Sequence, residues 1–299
     1  MHGEAAELGV LVGYDGSPGG ERALEWAVRE AGSHGTLLTV CTAGTPAATF
    51  RDGEDGAVAL GVHEGERSLC RGHIDARRRL GCGMVRSLRV RGPAVRALCA
   101  YAGRAEMVVV GSRGLGGFRG LPLGSVSSQV CAHAPGLVVL VPGAERVARL
   151  PAGGEVVAGF DGSASAGAAL GWAFEEAGWS GAPLVVVRCW RAHDASDPGD
   201  PAVVAGERRT AVQRLEEDVA RWREKFPEVD VRTRFLDRPP RETLRALADR
   251  ARLLTVGARG SGGLRGMPLG SVSRFLVDHS RCPVAVAHDR QMPDGIDGR

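Results

Sequence analysis

Apolar residues along this chain gather into short unbroken runs, separated by stretches in which they recur at helical spacing. Leu8 to Gly13, Leu37 to Ala43, Met107 to Val110, Leu137 to Val141, Leu184 to Cys189, Leu253 to Val256 and Pro283 to Ala287 are continuous in apolar character. Such runs predict strands buried on both faces. Val85 to Val90 and Val229 to Phe235 alternate and predict further strands. Between the runs, Glu207 to Lys225 places Val212, Leu215, Val219 and Trp222 on one helical face, and Arg67 to Leu80 reads as its counterpart. Shorter helices are expected at Pro93 to Ala102, Arg241 to Ala251, Ser125 to His133 and Ser271 to His279. The first run ends in Tyr14-Asp15-Gly16-Ser17-Pro18, a tight turn followed by a capping serine and a proline at the first helical position. That helix is expected to stop near Gly32, and its twin to run from Ser163 to Gly178. Strands that alternate with helices predict an α/β fold, a parallel sheet covered by helices on both faces.

The pattern occurs twice. Asp15-Gly16-Ser17 returns as Asp161-Gly162-Ser163, Trp26 as Trp172, Pro93 as Pro239, Leu98 as Leu244 and Val110 as Val256, always 146 residues on. The repeat is sharpest where Gly111 to Ser127 returns as Gly257 to Ser273, with 13 identities over the 20 positions that start at Gly111 and Gly257. A unit this long is a domain, too large for a solenoid module. The reading is therefore two copies of one domain, residues 1–146 and 155–299, joined by a linker at 147–154 in which Pro151-Ala152-Gly153-Gly154 stands out. The segments Gly44 to Gly56 and His193 to Pro201 are the least alike and read as loops.

Composition narrows the class. With 43% hydrophobic and 24% charged residues, each half can bury a core without metals or disulfides. A formal net charge of +3, with arginines scattered among acids such as Glu216, Glu217 and Asp218, argues against nucleic acid as the main partner. The seven cysteines form no CxxC pair and do not repeat at the domain offset, which points to reduced thiols. No stretch approaches a membrane span and no leader-like segment opens the chain, so a cytoplasmic protein is expected.

The repeated loop carries the chemistry. Its spacing puts a glycine at a strand exit, a long turn, and Gly-Ser-Val-Ser at the start of a helix. A helix N-terminus presents unpaired N–H groups and a positive dipole end, and suits a phosphate. Ser125, Ser127, Ser271 and Ser273 add hydroxyls, and Arg113, Arg119, Arg259 and Arg265 add charge. The same residues read otherwise as a plain helix cap with solvated arginines. No lysine precedes the serine, as a Walker loop would need, and no G-x-S-x-G is present. His133 and His279 read as helix-end residues favourable to the dipole, not as bases.

With Gly111, Gly114, Gly124 and Ser125, then Gly257, Gly260, Gly270 and Ser271, each half resembles a universal stress protein domain of the ATP-binding subgroup, whose signature is G-x2-G-x9-G-[S/T]. The whole chain resembles the tandem two-domain members. The resemblance implies two doubly wound, Rossmann-like five-stranded parallel sheets of strand order 3-2-1-4-5, with ligands at the switch point between strands one and four. It implies an adenine nucleotide, ATP, in each half. Asp15 and Asp161 fall at the adenosine end with Gly13, Tyr14, Gly159 and Phe160. Ala43 and Cys189 lie against adenine. Val110, Gly111, Arg113, Gly114, Val256, Gly257, Arg259 and Gly260 line ribose and phosphates, and Gly124, Ser125, Val126, Ser127, Gly270, Ser271, Val272 and Ser273 hold phosphates. Mg²⁺ would enter only with the phosphates. One departure is Arg238-Pro239-Pro240, where the first half has Gly92-Pro93.

The implied role is a stress or dormancy regulator that responds to nucleotide through an unidentified protein partner. It is not a dedicated enzyme, since no base or metal-binding carboxylate cluster accompanies the loop. A slow nucleotide hydrolase or adenylyl-transfer enzyme, and an interaction scaffold with structural nucleotide, are the alternatives. Leu137 to Val141 and Pro283 to Ala287 are placed to pair within one chain, and a homodimer stays open.

Overall fold

The computed structural model describes residues 7–44, 55–116, 123–147, 149, 153–190, 200–262 and 267–288, with residues 55–64 described by backbone alone. The first half runs β1 (Val10–Gly13), α1 (Pro18–His34), β2 (Leu38–Gly44), α2 (Asp55–Leu80), β3 (Val85–Arg91), α3 (Ala94–Ala102), β4 (Met107–Gly111), α4 (Ser125–His133) and β5 (Leu137–Val141). The second repeats the order as β6 (Val156–Gly159), α5 (Ala164–Ser180), β7 (Leu184–Cys189), α6 (Pro201–Lys225), β8 (Val231–Leu236), α7 (Pro240–Ala248), β9 (Leu253–Gly257), α8 (Ser271–His279) and β10 (Val284–Ala287).

The expected pair of separate sheets is corrected here. All ten strands form one sheet in the order β3-β2-β1-β4-β5-β10-β9-β6-β7-β8. Within each half the order is 3-2-1-4-5 and every pairing is parallel. The halves join where β5 meets β10 antiparallel, with Val139 opposite Ala285 and Val138 opposite Val286. The reason is the sequence of the two last strands. Leu137–Val141 and Val284–Ala287 are apolar throughout and buried, so left as free edges they would expose both a hydrogen-bonding ladder and an apolar surface. Each is the other's cover.

Local boundaries follow from cap chemistry. α1 begins where the Ser17 side chain accepts from the Gly20 N–H, and α5 where Ser163 accepts from Ala166. Both run slightly past Gly32 and Gly178 and end at Gly35 and Gly181, left-handed glycines with φ near 63°. α2 starts at Asp55 and not near Arg67, and α6 starts at Pro201 and not at Glu207. The second start carries a signal that periodicity overlooks: Asp200 caps the helix through the Ala202 N–H, and Pro201 sits in the first turn. The loop expected at 44–56 and that at 193–201 lie mainly outside the described residues.

α3, α4, α7 and α8 cover one face of the sheet, where Leu98, Val130, Leu244 and Leu276 belong to a core that continues across the β5/β10 seam. The other face is covered by α1 and α2 in the first half and by α5 and α6 in the second. All seven cysteines are free, and burial pushes the thiols of Cys41, Cys131 and Cys282 up to about 12. These three are inert core residues, whereas Cys70 and Cys82 are exposed. No helix among the described residues is long and apolar enough to cross a membrane.

A continuous sheet and a shared core make the two halves one cooperative unit. Urea unfolding followed by circular dichroism and by tryptophan fluorescence should give coincident single transitions. Leu140→Ala, at the seam and almost fully buried, should lower the stability of that single unit by about 2–5 kcal/mol. Two separated transitions, with only one displaced by Leu140→Ala, would show that the halves unfold independently.

Candidate functional site

The parallel topology brings the C-terminal ends of β1 and β4 together, and those of β6 and β9 likewise. In an open α/β sheet this is where the crossovers part to opposite faces and leave a crevice. Each crevice is built from the turn after the first strand and the glycine loop after the fourth.

An aspartate ties these two segments. Asp15 Oδ1 accepts from the Ser17 N–H at 2.9 Å and Oδ2 from the Leu115 N–H at 3.0 Å. Asp161 does the same with Ser163 at 3.0 Å and Ser261 at 2.8 Å. One oxygen shapes the turn into α1 or α5, and the other holds the glycine loop across a separation of 100 residues. Hydroxyls reinforce the clamp. Ser17 Oγ donates to the Arg113 carbonyl at 3.4 Å, Ser163 Oγ donates to that of Arg259 at 3.1 Å, and Ser165 Oγ donates to the same carbonyl.

This clamp explains two glycines. A Cβ on Gly114 would collide with Asp15 Oδ2, and one on Gly260 would lie 2.6 Å from Asp161 Oδ2. At Gly111 a Cβ would strike the Gly19 carbonyl, and at Gly257 it would lie 2.6 Å from the Ala166 nitrogen. The protein's own close packing therefore requires these glycines, independently of any ligand.

Beyond the loop, α4 and α8 start at Gly124 and Gly270, which have no side chain to cap the first N–H groups. α1, α5 and α6 are capped by side chains, whereas α3 and α7, which follow Pro93 and Pro239, also lack such a cap but do not follow a glycine loop. Ser125 and Ser271 are exposed at these starts, beside Val126 and Val272. Ser127 and Ser273 are buried, and each hydroxyl donates at 2.6 Å to the carbonyl of Gly111 or Gly257. They brace the helix against the strand exit. Of the four serines expected to offer hydroxyls outward, only Ser125 and Ser271 are placed to do so.

The other expected positions divide in the same way. Gly13 and Gly159 close β1 and β6. Ala43 pairs with Val90, and Cys189 with Leu236, so both stand half-buried at the ends of their strands. Burial raises the Cys189 thiol, which disfavours thiolate chemistry there. Val110 and Val256 are buried in the α3/α4/α7/α8 core. Tyr14 and Phe160 turn their rings to the opposite face. The Tyr14 hydroxyl donates to Glu21, and burial with that carboxylate beside it pushes the phenol up to about 12. At the crevice these two residues offer backbone only. Arg259 is exposed, whereas Arg113 is half-buried with Nε lacking a hydrogen-bond partner. Arg119 and Arg265 lie outside the described residues.

Among the described residues, the histidines of α4 and α8 stand away from the exposed serines. His133 and His279 occupy the last positions of α4 and α8, with Nδ1 against the carbonyls of Gln129 and Phe275. At ~1.5 Å per residue they are about 12 Å from the helix starts. The residues that sequence reading missed are Gly19, Ser165 and the N–H groups of Leu115 and Ser261, which complete the clamp. The Asp-x-Ser spacing was a signal for the turn, but nothing local points to the loop partner 100 residues away.

If the clamp holds the loop, Asp15→Ala should raise amide hydrogen exchange at 112–116 while β1 and β4 keep their protection. Gly114→Ala should produce the same pattern, and the double variant should be little worse than either single one. Additive effects, or an unchanged loop in Gly114→Ala, would contradict the shared contact.

The likeness to known proteins covers both halves. The model of the universal stress protein family matches residues 9–142 and again 154–288. Universal stress protein Rv1996 of Mycobacterium tuberculosis is 32% identical over 314 residues, covering 98% of this chain and 99% of its own. Universal stress protein Rv2623 of the same species is 34% identical over 299 residues, covering 95% of this chain and 97% of its own. The crystal structure of a universal stress protein from Archaeoglobus fulgidus superposes with a TM-score of 0.70 at 19% identity, covering 96% of this chain and 99% of that one, a likeness of fold. With the family's model matched twice, and with relatives aligned over nearly the full length, the chain belongs to the universal stress protein family and carries two tandem domains of it.

Proposed function

We propose that this protein is a stress regulator that binds one adenine nucleotide, ATP, in each half and signals by its loaded state, not by turnover. The observation that carries the reading is the uncapped N-terminus of α4 and α8, each facing a crevice already walled by an aspartate-clamped glycine loop. N–H groups without a side-chain cap, at the positive end of a helix dipole, suit a phosphate chain.

The residues fit such a ligand in a definite way. The N–H groups at Ser125 to Ser127 and Ser271 to Ser273 would hold phosphates, with the exposed hydroxyls of Ser125 and Ser271 as additional donors. Arg113 and Arg259 would supply charge. Ala43 and Cys189 would border the base. Ser127 and Ser273 would act from behind, by fixing the strand exit. Asp15 and Asp161 would act mainly by holding the loop, because both oxygens of each carboxylate already accept N–H groups. Mg²⁺ would accordingly be held through the phosphates, with little help from carboxylates. The distance of His133 and His279 from the exposed serines favours a regulator over a hydrolase.

The first test is mass spectrometry of small molecules released from purified protein, with calorimetric titration of nucleotide-free protein by ATP and Mg²⁺. About two equivalents are expected per chain. Asp15→Ala should weaken the first site roughly tenfold, about 1.4 kcal/mol, and leave the second nearly unchanged. Ser125→Ala should have a smaller effect, since backbone groups remain. No bound nucleotide and no heat would overturn the reading. Rapid multiple turnover abolished by Asp15→Ala would replace it with an enzyme.

A further inference from the structure

Far from the crevices, α1 and α5 meet across the seam and bring two carboxylates into the interior. Glu30 and Glu176 occupy equivalent positions in the two halves, 146 residues apart, and are 2% and 0% exposed. Each lies beside buried alanines, Ala27 and Ala31 on α1 and Ala173 and Ala177 on α5. Carboxylates in such surroundings require compensating cations.

Arg252 supplies part of the compensation. Its Nη2 lies 2.9 Å from Glu176 Oε1 and 3.3 and 3.5 Å from the two oxygens of Glu30, so it engages both carboxylates. The Oε2 atoms of both also turn to His34 at the end of α1. His34 Nε2 is 3.0 Å from Glu176 Oε2 and 3.8 Å from Glu30 Oε2. On its other side, His34 Nδ1 is 3.9 Å from Glu106 Oε2 and has no hydrogen-bond partner. The two buried carboxylates and one guanidinium leave one negative charge to balance. A protonated His34 can supply that charge, and so can a divalent ion beside a neutral imidazole with the part-exposed Glu106 nearby.

We propose that Glu30, His34 and Glu176 form a divalent transition-metal site, best suited to Zn²⁺, that staples the two halves of the chain together. The ligand atoms of these three residues lie within 4.8 Å of one another. Ligands at about 2.0–2.1 Å from a tetrahedral ion stand roughly 3.3 Å apart, and the observed 3.0 and 3.8 Å bracket that value. One imidazole and two carboxylates leave a fourth position for water, and a mixed nitrogen and oxygen set favours Zn²⁺ over Ca²⁺ or Mg²⁺. Glu106 Oε2, 3.9 Å from Nδ1, would have to close by about 1 Å to orient a ligating histidine through its second nitrogen. Glu30 and Arg252 also line a cavity of about 460 Å³ with Arg29, Arg79 and Leu80. On binding, any proton on the imidazole nitrogen that becomes a ligand leaves to solvent.

The test uses the full chain, stripped of metal and nucleotide with a chelator and then dialysed. Equilibrium dialysis with Zn²⁺ should give one equivalent per chain that Asp15→Ala does not change. Co²⁺ should give the visible bands of a nitrogen- and oxygen-ligated ion without the near-ultraviolet charge transfer of thiolate ligation. It should also quench Trp179, whose ring centroid lies 3.8 Å from that of His34. His34→Gln and the isosteric Glu176→Gln should each weaken binding about 100-fold or more, and Glu106→Gln about 10- to 100-fold. Zn²⁺ should raise the wild-type melting temperature but not that of either ligand variant. If His34→Gln does not fold, Glu176→Gln and the wild-type spectrum decide. Failure to bind a stoichiometric ion, thiolate-type spectra, or undiminished binding in a folded ligand variant would overturn the proposal, leaving a protonated His34 as the bridge.

Discussion

The hydrogen bond from the loop N–H to the second oxygen of the strand-one aspartate is the contact on which the crevice depends. Without it, the turn after β1 and the glycine loop after β4 would share a sheet edge but no fixed separation. With it, Asp15 and Asp161 convert two flexible segments into one wall, and the start of α4 or α8 is held at a set position behind it. The glycine at the third position after the strand exit is part of the same device, because the carboxylate occupies the space where a Cβ would go. Ser127 and Ser273 complete it by tying the helix to the strand exit. A charged group accepting two backbone N–H bonds is a strong local fixture, since charge-assisted bonds are roughly twice as strong as neutral ones.

The same logic of unsatisfied groups joins the two halves. Five parallel strands with an apolar last strand cannot stop at an exposed edge, and the second copy of the domain provides the matching edge within the same chain. The join then creates a problem of its own at the helix layer. α1 and α5 are brought together with an acidic residue on each, and Arg252 and His34 are the groups that answer it. Burial and the Glu176 charge hold the Glu30 carboxyl well above the usual carboxylate range. The carboxylates of Glu106 and Glu176 outweigh burial in raising His34 to about 9.

Much of this could be read from the sequence, for identifiable reasons. The buried strands announce themselves because a parallel sheet needs apolar residues on both faces. The glycine loop announces itself because Asp15 and Gly114 recur at the same offset as Asp161 and Gly260. The early start of α2 was hidden by Gly56, Gly61 and Gly65, which are poor helix formers and masked its pattern. The merger of the sheets was legible only as an option, because an apolar edge does not name its partner. The inward direction of Ser127 and the outward direction of Tyr14 from the crevice were not legible. Each depends on which side of an element meets the core, which a motif match does not specify. Nothing local in the sequence marks Glu30, and only the approach of α5 shows it to be buried.

The most direct test of the central claim is amide hydrogen exchange of the nucleotide-free chain with and without ATP and Mg²⁺. The account predicts new protection at 123–127 and 269–273, at the starts of α4 and α8, together with the clamped turns at 13–17 and 159–163. Protection confined to other surfaces, or an exchange pattern that ATP leaves unchanged, would contradict it.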